Sequence, residues 1–291
     1  MADTAFIGLG VMGFNMAGHL ACEGHQVRVY NRTQGRVKLW LDEFAGEAAL
    51  TPREAAEGAE MVMCCVGNDD DLRSVLLGDN GAFAAMKKGS ILIDHTTASA
   101  QAARELSAIA EQRGIEFLDA PVSGGQSGAE AGMLSIAVGG KQEVYARAAP
   151  VLEAYGKLVK HMGPVGSGQL TKMVNQICIA GIVQGLAEGL HFAQAAGLDI
   201  AAAMEVIGQG AAQSWQQQNR WQSMSEGRFD FGFAVNWMRK DLNFALDEAR
   251  RNGAQLPLTA LVDQFYSQVQ AAGGGRWDTS SLITRLKTTI D

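Results

Sequence analysis

Lys172 stands in the run Gly166-Ser167-Gly168-Gln169-Leu170-Thr171-Lys172-Met173-Val174-Asn175-Gln176, an amine among apolar neighbours where a long helical pattern begins. Asn175 and Gln176 follow by three and four positions and Gly168 precedes by four, so on a helix they share one face with the lysine. Glycine at that spacing leaves room for a ligand beside the amine. A partly desolvated ammonium can give a proton to a carbonyl oxygen and stabilise the negative charge developing there. Asn175 would hold that amine by hydrogen bonding. A lone lysine is more often a solvated surface group; chemistry is favoured here because the helix begins at an expected domain boundary.

Two further runs could bind what such a lysine would act on. Asp119-Ala120-Pro121-Val122-Ser123-Gly124-Gly125 leaves an expected strand at its carboxyl edge, where open α/β sheets bind ligands. Ser123 and the amides of Gly124 and Gly125 could cradle a substrate carboxylate, or the loop is only a turn. The other run is Gly8-Leu9-Gly10-Val11-Met12-Gly13, with an apolar strand before it and a helix after it. A GxGxxG match alone is weak, but this context is that of a dinucleotide site. Gly8 would permit the tight turn, Gly10 the approach of a pyrophosphate, and Gly13 close helix–strand packing, with free N–H groups at the helix start binding the anion.

The second strand ends in Tyr30-Asn31-Arg32-Thr33. A carboxylate here would accept from the ribose hydroxyls of NAD and repel a 2′-phosphate. Asn31 is uncharged, Arg32 offers a planar fork to a phosphate, and Thr33 adds a hydroxyl, so NADP(H) is the expected cofactor, with NAD(H) as the alternative. Val66, closing an expected strand at 61–66, joins the residues assigned to the cofactor.

The elements that must position these groups follow from the apolar pattern. Short apolar runs at 4–8, 26–30, 61–66, 90–94, 116–120, 134–138 and 158–162 read as strands, with helical periodicity between them, as at 99–113 and 142–154. Such alternation predicts right-handed βαβ units in a mostly parallel sheet with helices on both faces. Beyond the turn-rich Gly163-Pro164-Val165-Gly166 only helical patterns appear, over about 169–196, 237–251 and 258–271. The expected fold is therefore α/β: a Rossmann-type doubly wound sheet over 1–163, then an all-α domain over 164–291.

Composition bounds the partners. The 291 residues carry a formal net charge of −7 with both signs dispersed, which argues against nucleic acid or an anionic membrane as partner. The N-terminus has no basic region before its apolar run, so a secretory leader is not expected and a cytoplasmic location is. The apolar stretch at 177–198 is broken by Gln184, Glu188, His191 and Gln194, and reads as a buried or amphipathic helix rather than a membrane span. Cys22, Cys64, Cys65 and Cys178 read as buried reduced thiols, and Cys64 and Cys65, adjacent on a strand, cannot chelate one metal; no metal site is expected. Trp215, Trp221 and Trp237 read as packing residues, some of which could wall a pocket together with Phe231 and Phe233.

Phe6-Ile7-Gly8-Leu9-Gly10-Val11-Met12-Gly13, the 119–125 loop, the 168–176 helix start and Lys240-Asp241-Leu242, in this order, resemble the β-hydroxyacid dehydrogenase family over nearly the whole chain. That family includes 3-hydroxyisobutyrate dehydrogenase, tartronate semialdehyde reductase and the glyoxylate and succinic semialdehyde reductases. The resemblance implies Lys172 as catalytic acid/base, Asn175 as its partner, and Ser123, Gly124 and Gly125 at the substrate carboxylate. It also implies Thr97 and Lys240 near the cofactor, and a homodimer or homotetramer. Within the family, the 172–176 run and the tail Gly273-Gly274-Gly275-Arg276-Trp277-Asp278 look most like tartronate semialdehyde reductases. Asn31-Arg32-Thr33 looks instead like the NADPH-using glyoxylate and succinic semialdehyde reductases, so the substrate stays open among short carboxylate-bearing semialdehydes and glyoxylate. An NAD-dependent 3-hydroxyisobutyrate-type dehydrogenase is the alternative. A non-catalytic dinucleotide-binding assembly or sensor protein would be expected to lack Lys172, and imine reductases replace that lysine. No role is expected for His95.

Overall fold

In the computed structural model, which describes residues 1–286, the chain divides into two compact units, Met1–Lys172 and residues 173 onward. The division falls inside one helix, nine residues past the boundary expected at 163. Residues 287–291, the end of the expected helical domain, lie outside the described residues.

The first unit is a nine-stranded sheet with helices on both faces. Its strands are β1 (Asp3–Ile7), β2 (Gln26–Tyr30), β3 (Glu47–Ala48), β4 (Met61–Cys64), β5 (Ile91–Asp94), β6 (Glu116–Asp119), β7 (Val122–Ser123), β8 (Leu134–Gly139) and β9 (Gly156–Gly163). They run in the order β3-β2-β1-β4-β5-β6-β8-β7, with β9 also on β8. The first six pair in parallel, whereas β8 meets β6 and β7 antiparallel and β9 in parallel. Strands β3 and β7, two residues each, were not legible as apolar runs.

Side chains alternate across each strand, and both faces are dry. Phe6, Met63, Ile93 and Leu118 join Met16, Leu20, Val37 and Trp40 on one face. Ile7, Val62, Cys64 and Leu92 join Leu72, Leu76, Ala103 and Leu106 on the other. The helices bringing those partners are, on the first face, α1 (Val11–Cys22) and α2 (Gln34–Glu43), and on the second α3 (Pro52–Ala56), α4 (Asp69–Leu76) and α5 (Ala100–Gln112). Two more, α6 (Gly125–Glu130) and α7 (Gln142–Leu152), add Ala129 and Val144 to the first face. Each such buried large apolar side chain contributes about 1.5–3 kcal/mol.

Strand register decides where the loops emerge. Tyr30 pairs with Ile7, Ile7 with Cys64, Cys64 with Asp94, and Asp94 with Asp119, so five parallel strands end level. Every candidate loop of this unit that follows a parallel strand leaves from that one edge.

The second unit is helical: the rest of α8 (Ser167–Ala195), then α9 (Ile200–Ile207), α10 (Trp215–Glu226), α11 (Val235–Asn252) and α12 (Pro257–Ala271). By length and composition α8 is apolar enough to cross a membrane. Here it buries Ala180, Val183, Ala187 and Leu190 against Met204, Met224, Met238, Leu242, Val262 and Tyr266. An Arg239–Asp263 ion pair, 3.1 Å, joins α11 to α12 beside this core.

Two expectations are corrected. All four cysteines are free thiols, but Cys22 and Cys178 are exposed, because the last turn of α1 and the middle of α8 point those positions outward. Trp215 and Trp237 are also exposed rather than packed in the core, while Trp221 packs against it.

Candidate functional site

The glycine motif is built as a turn from β1 into α1. The Gly8 amide donates to Tyr30 O (2.8 Å) with φ +100°, and a Cβ there would collide with Cys65 O. Gly13 faces Gly8 so closely that a Cβ would strike the Gly8 carbonyl oxygen and come within 2.9 Å of the Phe6 ring. Gly10 is different: a Cβ there would meet nothing within 4 Å. It caps α1 without a side-chain hydrogen bond, leaving the first-turn amides of Val11 and Met12 to an incoming anion. Val11 is exposed and Met12 half-buried against the sheet core.

Asn31 fixes this loop rather than facing outward. Its Oδ1 accepts from Leu9 N (2.9 Å) and its Nδ2 donates to Thr33 O (3.0 Å), while Arg36 Nε donates to Leu9 O (3.0 Å). Arg32 is 86 % exposed, its Nη1 3.4 Å from Asp71 Oδ1, and Thr33 precedes α2 with its hydroxyl uncommitted to the helix. A dinucleotide fits this arrangement: open amides at a helix start, a close backbone approach at Gly10, and an exposed cation at the ribose end of β2.

The next two strand ends carry buried polar groups. Val66 N donates to Thr96 Oγ1 (3.1 Å), linking the turns after β4 and β5. Asp94 is wholly buried; burial pushes its carboxyl up to about 7 despite the bond from Thr96 N (2.9 Å). Its Oδ2 has no hydrogen-bond partner among the described residues. His95 is neutral, burial holding it down to about 4. Its Nδ1 lies 2.6 Å from Ala120 O, which can only accept, so Nε2 accepts from the Tyr155 hydroxyl (2.8 Å). That is a structural histidine. Thr97, between them and α5, is half-buried.

The 119–125 loop and Lys172 come together. Lys172 Nζ donates to Val122 O (2.9 Å) and to Ser123 Oγ (3.2 Å). Gly124 turns the chain at φ +140° and Gly125 at φ +64°, both exposed, so the amides beyond Ser123 are presented at the surface of this loop.

In the second unit the family-implied residues form their own chain of bonds. Asn175 Nδ2 donates to Gln176 Oε1 (2.7 Å), and Gln176 Nε2 to Asp241 Oδ2 (2.7 Å). Lys240 Nζ lies 3.3 Å from Asp241 Oδ1 and about 5.5 Å from the Trp237 and Phe244 ring centres. Phe231, itself exposed, stacks on the Arg220 guanidinium, and Phe233 donates its backbone amide to Asp278.

Among the buried polar residues that received no role from the sequence are Asp94, Asp119 and Gln169. Asp119 Oδ1 and Oδ2 accept from Gly166 N (2.7 Å) and Gln169 N (2.9 Å), capping the start of α8. Burial raises its carboxyl to about 6 against those bonds. The available signal was polarity where the pattern called for apolar cover, at a helix start and a strand end.

A family model described as the NAD binding domain of 6-phosphogluconate dehydrogenase matches residues 3–163. A second, described as NAD-binding of NADP-dependent 3-hydroxyisobutyrate dehydrogenase, matches residues 166–286. The chain is 61 % identical over 287 residues to an uncharacterized oxidoreductase of Shewanella frigidimarina, covering 99 % of each. It is 35 % identical to the 2-hydroxy-3-oxopropionate reductase of Escherichia coli, covering 97 % of this chain and 96 % of that one. The solved Mycobacterium tuberculosis 3-hydroxyisobutyrate dehydrogenase with L-serine superposes with a TM-score of 0.90 at 30 % identity, covering 99 % of this chain and 100 % of that one. With both units matched and the motifs in place, the chain belongs to the β-hydroxyacid dehydrogenase family of NAD(P)-binding oxidoreductases that act on hydroxyl groups.

Proposed function

We propose that this enzyme interconverts a short carboxylate-bearing semialdehyde, or glyoxylate, and its hydroxy acid, with NADP(H) as the preferred cofactor and Lys172 as the proton donor. The observation that carries this is the Lys172 amine, 2.9 Å from Val122 O and 3.2 Å from Ser123 Oγ. An ammonium held there stands beside the hydroxyl and amides suited to a carboxylate, within reach of a carbonyl two or three atoms away. The cofactor, when bound, supplies or takes the hydride. Lys172 gives its proton to the carbonyl oxygen in reduction and takes it back in oxidation, while Ser123, Gly124 and Gly125 hold the acid. Asn175 as partner of Lys172, and Thr97, Val66 and Lys240 as cofactor contacts, belong to the same proposal, as the family resemblance implies. NADP(H) is supported by Arg32 and by the description of the matching C-terminal family model. The Escherichia coli relative, named a 2-hydroxy-3-oxopropionate reductase, supports a semialdehyde.

Lys172→Ala should fold and bind cofactor normally but lose turnover by about two to four orders of magnitude, the range for general acid–base groups. Steady-state kinetics check this, and near-wild-type kcat would refute the role. Lys172→Arg should recover little, since guanidinium does not give up its proton at neutral pH.

A further inference from the structure

Gln169 lies three residues before Lys172, fully buried, and every polar group of its side chain is engaged. Nε2 donates to Thr96 O (2.7 Å) and Oε1 accepts from Ala98 N (3.1 Å), the two backbone groups that bracket Thr97. Its own amide donates to Asp119 Oδ2 (2.9 Å), while Asp119 Oδ1 takes the Gly166 amide (2.7 Å). Asp119 ends β6, three residues before Val122 and four before Ser123, both of which accept from the Lys172 amine. Space is tight around the joint: a Cβ on Gly168 would stand 2.5 Å from both Ala137 O and Asp119 O. Two buried side chains therefore tie three loops to the first turn of α8.

We propose that Gln169 and Asp119 are positioning residues, which set the Lys172 amine against Ser123 and hold the turn that carries Thr97 in register with it. The inference rests on the reading of Lys172 as proton donor. Satisfying buried backbone groups is a structural task as well, and in that role alone the pair would affect stability but leave turnover of the folded enzyme unchanged. Positioning makes a different demand, because an error of about 1 Å in a reacting group can cost a hundredfold in rate.

Two substitutions separate these cases. Gln169→Met keeps the length of the side chain but removes both bonds to the Thr96–Ala98 turn. At a temperature well below its melting point, kcat should fall about ten- to a hundredfold. Gln169→Glu keeps the shape, but its ionised carboxyl cannot donate to Thr96 O; protonated, it donates and accepts as the amide does. Asp119 and Asp94 are the acidic groups on the facing strand ends, with Asp69 beyond them on Ser99; the basic groups are Arg104, against Gly166, and Lys172, three residues along the helix. Burial beside two carboxyls favours protonation as pH falls. The ratio of kcat for Gln169→Glu to that of wild type should therefore rise toward one as pH is lowered, with the melting curve confirming a folded protein throughout. Wild-type kcat in Gln169→Met, or a pH-independent ratio for Gln169→Glu, would overturn the positioning role; should Gln169→Met fail to fold, the ratio decides alone. Lys172→Ala is measured alongside. If it is inactive while the Gln169 variants match wild type, only the positioning role falls; if it is active, the reading of Lys172 falls and the inference with it.

Discussion

Arg32 meets Asp71 at 3.4 Å on a side chain that is 86 % exposed. An exposed pair of this kind contributes about 0–1 kcal/mol, whereas charge-assisted bonds to a phosphate contribute about 1.5–3 kcal/mol. A bound 2′-phosphate would therefore outcompete Asp71 for the guanidinium. Arg32→Ala should raise KM for NADPH about ten- to a hundred-and-fiftyfold and leave KM for NADH nearly unchanged. Equal use of both cofactors by the wild type would remove the basis of this expectation. Asn31→Asp, added to it, should turn the preference toward NADH: the carboxylate still accepts from Leu9 N, loses the bond to Thr33 O, and repels a 2′-phosphate. Asp94 makes a residue-scale prediction of another kind. Its carboxyl, at about 3.8 when unfolded, is pushed by burial to about 7, so between these pH values the folded protein binds more protons than the unfolded chain. Stability from this group is therefore full below about 4 and is lost as pH rises through about 7. Asp94→Asn, which stands in for the protonated form, should melt above wild type at pH 8, with the difference shrinking toward pH 5. Equal melting temperatures at both pH values would count against that assignment.

At the scale of elements, the strand–turn–helix unit of β1 and α1 gives its three glycines unequal tasks. Gly13→Ala drives a methyl into the Gly8 carbonyl, a backbone group that cannot yield without moving β1 from α1. A loss of about 1–3 kcal/mol or more is expected, read as a fall of several degrees in melting temperature. Gly10→Ala meets nothing within 4 Å, so stability should hold while the KM for cofactor rises, because the methyl occupies the path of the pyrophosphate. Melting curves and cofactor titrations of the two variants check the contrast. This motif was legible in the sequence because all its determinants are local. Strand β7 and the antiparallel meeting of β6 with β8 were not, since a two-residue strand has no period and pairing direction depends on where the chain returns. The level ends of β2, β1, β4, β5 and β6 have the same character: each strand is visible in its apolar run, but register is a property of pairs.

At the scale of the whole molecule, helix α8 leaves Val174, Ile182 and Phe192 exposed, and α9 leaves Val206 exposed. Apolar side chains on several faces of one helix call for cover that a helical unit of this size does not supply alone. With the family resemblance, this supports the proposal of a homodimer or homotetramer. Light scattering at micromolar concentration should return two or four times the 30.9 kDa chain mass, and a monomeric mass would refute it. Phe192→Glu, at a position 71 % exposed in the single chain, should shift the mass downward if that face is covered by another copy.

The amino-acid sequence by itself determined the succession of the longer strands and helices, the glycine turn, the cationic end of β2, and the presence of Lys172, Asn175, Ser123 and Lys240 in ordered motifs. These depend on periodicity and on neighbours within a few residues. Only the tertiary structure decided that Lys172 bonds Val122 and Ser123 across about fifty residues of chain, that Asn31 braces the glycine loop, and that Gln169 and Asp119 join three loops. A buried polar side chain has no periodic signature, because the partners that make its burial tolerable are chosen by the fold and not by the adjacent residues.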